Sequence, residues 1–181
     1  EKAIVLAKEG KFLESAKIYN DLIDKGKYNH FTFHRLAGIY ERLGKKKEAF
    51  ECLQKAISLK KNYAEAYCDI GRYLLDSNNL KSALNFFAKA LEYKPNLLGA
   101  YINIGNIYQK SGNLVEAMKY FKKSLKINNN IPITFYNIGT IYKIEKNFID
   151  AERNYKRALE CDKNFNLAKL GLLEIYLDTF N

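Results

Sequence analysis

The 181 residues contain no tryptophan, two histidines, two prolines and three cysteines. Each shortage excludes something. Two prolines with ten glycines are too few for a loop-rich or disordered chain. Cys52, Cys68 and Cys161 are odd in number, far apart and without a CxxC pair. They read as free thiols of a reducing compartment, with one disulfide plus one free thiol as the alternative. The two histidines stand four apart in His30-Phe31-Thr32-Phe33-His34. On a helix that spacing brings two imidazoles towards one metal. However, no Glu follows His30 as in an HExxH motif, and no nearby Cys or acidic residue completes a site. The longest apolar run near the start, Ala3 to Ala7, is too short for a signal-peptide core or a membrane span. No GxSxG or nucleotide-binding glycine pattern occurs, and Cys68 has no identifiable base. No catalytic residue, cofactor or metal site is therefore expected.

What remains is ordinary globular material, 48% hydrophobic and 28% charged. The net charge of +10 invites an acidic partner, RNA or an anionic membrane surface. Yet the lysines are spread through the chain, often beside Glu or Asp, and the densest run, Lys45-Lys46-Lys47, sits at an expected turn. They read as a solvated face, so nucleic acid is not expected. The chain begins at Glu1 without Met, which predicts a piece of a longer protein. The expected location is intracellular, cytoplasmic or nuclear.

The dominant signal is repetition. Tyr101-Ile102-Asn103-Ile104-Gly105-Asn106-Ile107-Tyr108 returns 34 residues later as Phe135-Tyr136-Asn137-Ile138-Gly139-Thr140-Ile141-Tyr142. With Gly105 set at position 8 of a 34-residue frame, positions 4, 7, 8 and 11 form an i, i+3, i+4, i+7 stripe on a first helix. Positions 20, 24 and 27 do the same on a second. Small residues fall at position 8 (Ala37, Gly71, Gly105, Gly139) and position 20 (Ala49, Ala83, Ala117, Ala151), where they let helix axes approach. Bulky residues at 4, 11 and 24 fill the space around that contact, so the aromatics read as core and not as base-stacking platforms. Gly10, Gly44, Gly112 and Asn78 follow first helices, where a left-handed cap suits them, and Pro95 ends a second helix. First helices are predicted near 1–8, 31–43, 64–77, 98–111, 132–145 and 166–178, and second helices near 12–25, 46–59, 80–93, 114–127 and 148–161. A unit that cannot bury its own apolar face must stack on its neighbours.

This pattern resembles the tetratricopeptide repeat (TPR) family over the whole chain. Phe or Tyr replaces the family's Trp at position 4, and Pro at position 32 survives only as Pro95. The resemblance implies an all-α fold, a right-handed superhelical solenoid of antiparallel helix pairs. It would hold five units, the first truncated, plus one extra helix. They form one array with units at about 1–29, 30–63, 64–97, 98–131 and 132–165 and a terminal helix at 166–178. By the same resemblance the first helices line a concave groove with positions 2, 5, 6, 9, 12 and 13.

The groove's early lining carries His34, Arg35, Arg42, Asp69, Arg72 and Asp76, suited to an acidic or mixed-charge segment. Its middle carries Asn103, Asn106, Gln109 and Lys110, and Tyr136, Asn137 and Thr140 follow. Asn103 and Asn137 share position 6. Each offers a donor and an acceptor to a peptide backbone, which resembles the asparagine ladder of arrays like that of O-linked N-acetylglucosamine transferase. The expected function is a non-enzymatic adaptor that binds a peptide or protein segment through Asn103, Asn106, Asn137, Arg72, Lys110, Tyr136, Thr140, Arg35 and Asp69. Two alternatives stay open: a recruiting module of a larger enzyme such as a glycosyltransferase, and a basic nucleic-acid-associated scaffold. The late Leu167, Leu170 and Leu177 suit a ligand, a covering helix further along the chain, or a second copy in a homo-oligomer. The family's chaperone carboxylate clamp is not expected, because Ile102, Leu167 and Gly171 stand where its cations should be.

Overall fold

A computed structural model describes residues 1–180. They form eleven helices and, among the described residues, no strand. The expected all-α helical-repeat fold is present. The helices are α1 (Lys2–Lys8), α2 (Phe12–Asp24), α3 (His30–Arg42), α4 (Lys46–Leu59), α5 (Ala64–Asp76), α6 (Leu80–Tyr93), α7 (Leu98–Lys110), α8 (Leu114–Ile127), α9 (Pro132–Ile144), α10 (Phe148–Cys161) and α11 (Asn166–Phe180). Helices α4, α6, α8 and α10 span the predicted residues, and the others except α11 differ by one residue at one end or, for α3, at both.

The helices group into two compact units, Glu1–Leu97 and Leu98–Asn181. In the first, α1 packs on α2, α3 on α4 and α5 on α6, while α2–α3 and α4–α5 join successive pairs. In the second, α7 packs on α8 and α9 on α10, and α11 closes against α10 and α9.

One size rule explains the pairing. Phe87, Phe121 and Tyr155, at position 24, are fully buried. A Cβ built on Gly71 would stand 2.7 Å from Phe87, one on Gly105 2.5 Å from Phe121, and one on Gly139 2.7 Å from Tyr155. No methyl group fits there, so glycine at position 8 is what lets the ring lie against the facing backbone. In residues 30–63 the pair is Ala37 with Leu53, both buried. The smaller Leu53 leaves room for the extra carbon of Ala37. Tyr155 is packed from both sides, since a Cβ on Gly171 of α11 would also come within 2.7 Å of it.

The helix ends follow local chemistry. Asn79, Asn113 and Asn147 cap α6, α8 and α10 by accepting from the backbone N–H of Ser82, Glu116 and Asp150. The predicted left-handed caps occur at Gly10, Gly44, Gly112 and Asn78 (φ 58° to 79°). Lys146 takes the same conformation at φ 58°, although lysine has a Cβ that disfavours it.

Candidate functional site

The residues singled out from the sequence fall into two clusters, one in each unit. Arg35, Asp69 and Arg72 belong to the first, on α3 and α5. His34 is gripped at both ends: Tyr63 Oη lies 2.6 Å from Nδ1, and Nε2 lies 2.7 Å from Asp69 Oδ2. A carboxylate only accepts, so Nε2 carries a proton and donates to Asp69, and Nδ1 shares a hydrogen bond with the Tyr63 hydroxyl. Burial, then the nearby Glu65 and Asp69 carboxylates, push the Tyr63 phenol up to about 12, which keeps its hydroxyl protonated. One turn further along, Arg72 donates two bonds to Glu41, at 2.5 and 3.0 Å, and sits 3.6 Å from Asp69. That guanidinium holds the Glu41 carboxyl below its ordinary value, and the same fork raises Arg72.

These two bridges span α3 to α5, and a cavity of about 460 Å³ opens between them. Its lining combines apolar residues (Phe31, Tyr73 and the buried Ala37, Ala49 and Leu53) with charged ones (Arg35, Glu41, Lys46, Asp69, Arg72, Asp76). Gly38, at position 9 of α3, lies at the mouth. The frame placed these residues on one face. It did not reveal the His34–Asp69 and Glu41–Arg72 bonds or the opening, because those depend on the distance between two helices. The visible hint was Gly38, where Arg72, Asn106 and Thr140 occupy the same position of later units.

The second cluster lies on α7 and α9. Asn137 is buried and donates its side-chain N–H to Asn106 Oδ1 at 2.7 Å. Asn106 is the position-9 counterpart of Gly38, so here a side chain at that position bonds to the next first helix. Asn103 is half-buried and Lys110 exposed. Thr140 Oγ1 donates to the Tyr136 carbonyl at 3.0 Å and lies 3.3 Å from the Tyr155 hydroxyl. The Tyr136 ring packs on Tyr155 and Phe165. Nearer the end, Lys143 of α9 binds Glu174 of α11. Leu167, Leu170 and Leu177 are exposed on α11.

His30 does not join His34 at a metal-like centre. Its ring packs edge-on against Tyr63, and partial burial, then Lys60 and His34, hold it below its ordinary value. Among the described residues no group of three or more His, Cys, Asp or Glu side chains is placed to hold a metal, and no helix is long and apolar enough to cross a membrane. Cys52, Cys68 and Cys161 are free. Burial pushes the Cys52 and Cys68 thiols up to about 11 and about 12, which leaves both protonated and poorly nucleophilic.

Tetratricopeptide-repeat profiles match residues 31–96, 99–131 and 134–165. The chain belongs to the tetratricopeptide repeat family, whose helix pairs serve as protein–protein interaction modules. It is 36% identical over 59 residues to an Hsp70-Hsp90 organising protein of Plasmodium falciparum; the match spans 33% of this chain and 23% of that protein. A second protein of that name, from isolate 3D7, matches equally over 10% of its length. Among solved structures, MamA is similar at a TM-score of 0.75 with 22% identity, over 90% of this chain and 95% of MamA. A chain of the APC/C hetero-tetramer Cut9-Hcn1 is similar at a TM-score of 0.81 with 19% identity, over 96% of this chain and 34% of that one. At these identities the solved structures speak for the fold alone.

Proposed function

We propose that the chain is a non-enzymatic adaptor that docks an extended segment of a partner protein against the exposed face of its first helices. The α3–α5 face is the principal contact. The observation that carries this reading is the open cavity whose charged walls are already fixed by the chain's own bonds. Preset walls lower the entropy lost on binding. Arg35, Asp69 and Arg72 border that opening. On the α7–α9 face, Asn103, Asn106, Lys110, Tyr136 and Thr140 are the groups offered to a partner. Asn137 acts through Asn106, whose acceptor it occupies. The unreactive thiols support the non-catalytic reading and suit a reducing, cytoplasmic or nuclear setting. The absence of cations at Ile102, Leu167 and Gly171 argues against a terminal-carboxylate clamp on α7, α9 and α11, whatever the relatives of chaperone-organising name bind.

Site-specific photo-crosslinking tests the docking face. A crosslinking residue in place of Arg35 or Asp69 should capture a partner from cell extract. One in place of Lys55 or Lys122, exposed on the second helices α4 and α8, should not. Equal capture from both faces would remove the reading. Capture that vanishes steeply with salt and with nuclease treatment would point to nucleic acid instead.

A further inference from the structure

Two local costs border the α3–α5 cavity, and packing offsets neither. Gly38 lies mid-helix and exposed, with nothing within 4 Å of where a Cβ would stand. A glycine inside a helix costs about 1 kcal/mol relative to alanine. Gly71, Gly105, Gly139 and Gly171 each have an aromatic ring in that place, and Gly38 has open space. The second cost is at the start of α4. Lys45, Lys46 and Lys47 crowd a helix end that favours negative charge, against a single acidic residue in the first turn, Glu48. Lys45 stands where asparagines cap α6, α8 and α10, and no side chain caps α4. Helix α2 also starts after a lysine, but that one, Lys11, pairs with Glu9 at 2.9 Å. Lys45 lies over the Tyr40 ring, while Lys46 and Lys47 make no ion pair among the described residues. Gly38 and Lys46 line the same opening.

A guest accounts for both. An absent side chain at Gly38 leaves the mouth open above Ala37, Leu53 and Tyr73. The lysines and the uncapped N–H groups of α4 present positive charge beside it. Of the lining carboxylates, Glu41 and Asp69 are engaged by Arg72 and His34, while Asp76 lies on α5, so an arriving anion is favoured on the α4 side of the opening, against Lys46. Resting on the docking role above, we infer that this cavity receives one aromatic or branched aliphatic side chain from an extended acidic segment of a partner, with the segment's carboxylates against Lys46 and the start of α4.

The test uses the end-blocked peptide acetyl-Asp-Asp-Phe-Asp-Asp-amide, titrated into the chain and followed by amide proton–nitrogen spectra. Amide shifts should centre on Gly38, Leu53 and the first turn of α4. The same peptide with Ala at its centre should bind about tenfold more weakly, as should the Phe peptide with a Gly38→Leu variant. Gly38→Leu adds a side chain where there is open space, so its melting temperature should hold or rise. Lys46→Glu, at an exposed position, should weaken the peptide about threefold at low salt and less at high salt. Equal binding of the Phe and Ala peptides, or of wild type and Gly38→Leu, would overturn the inference. So would shifts confined to Asn106 and its neighbours, although the docking role would survive. No shift anywhere at millimolar peptide would reject the acidic guest, while crosslinking from Arg35 and Asp69 would still judge the docking role separately.

Discussion

The helix pairs α3–α5 and α7–α9 are built from the same repeat positions and finish differently. In α7–α9, Asn106 at position 9 takes a hydrogen bond from Asn137 at position 6 of the next first helix. In α3–α5 the position-9 residue is Gly38. The position-6 residue, Asp69, is held instead by His34 one turn earlier. Changes at positions 5, 6 and 9 (His34 for Ile102, Asp69 for Asn137, Gly38 for Asn106) move the cross-link along the helix, and a cavity lies beside Gly38. The repeat therefore fixes where helices lie, and the residues left free by packing decide what each pair presents.

The largest test of this contrast exchanges a single carbon. Gly105→Ala would drive a Cβ to 2.5 Å from the buried Phe121 ring. It should destabilise the chain by about 1–3 kcal/mol in urea unfolding. Gly38→Ala should do the reverse, gaining up to about 1 kcal/mol. The same sign at both sites would contradict the account of position 8 as packed and Gly38 as vacant. Next in size, Asn137→Ala removes the bond that joins α7 to α9 and leaves a small void. A loss of about 1 kcal/mol is expected, with faster amide exchange in α7 and α9 than in α3 and α5.

Acid should separate the two units. Glu41 and Glu65 are held below 4.5 by Arg72 and Lys94, and His30 lies below 6.5. For the carboxyls, stability is present above 4.5 and is lost as pH falls through the lowered value. For His30 the unfolded chain binds the proton first, so stability also declines below 6.5. All three lie in residues 1–97; Glu152 of α10 is lowered too, but its pair with Lys156 lies at the surface and contributes little. Amide exchange between pH 7 and pH 4 should therefore loosen α3 and α5 before α7 and α9. Simultaneous loosening would show that these groups do not set the acid response. The smallest effect is at Lys146, where glycine would relieve a left-handed lysine and stabilise by about 1 kcal/mol or less.

Helix positions were legible in the sequence because the 34-residue frame is redundant: each boundary is stated several times. The glycines of position 8 were also readable as sites of close approach, although only the structure shows the ring that each one meets. The site was legible as a face and not as a geometry. Arg35, Asp69 and Arg72 were placed on one side by the repeat frame together with the family resemblance. That Arg72 reaches Glu41 and not a ligand, or that Asn137 serves Asn106, depends on an interhelical distance that no spacing encodes. Gly38 was visible in the letters, but a glycine means something only once its surroundings are known to be vacant.

The Glu41–Arg72 and Lys143–Glu174 bridges occupy the same register, position 12 to position 9, with the signs exchanged. Near-identical segments in one chain are prone to stack on the wrong neighbour during folding. If α3 met α11, Glu41 would face Glu174; if α9 met α5, Lys143 would face Arg72. Both encounters set like charges together, which disfavours mis-stacking while leaving the correct order unaffected. The reversed polarity thus labels each interchangeable-looking segment with its proper neighbour.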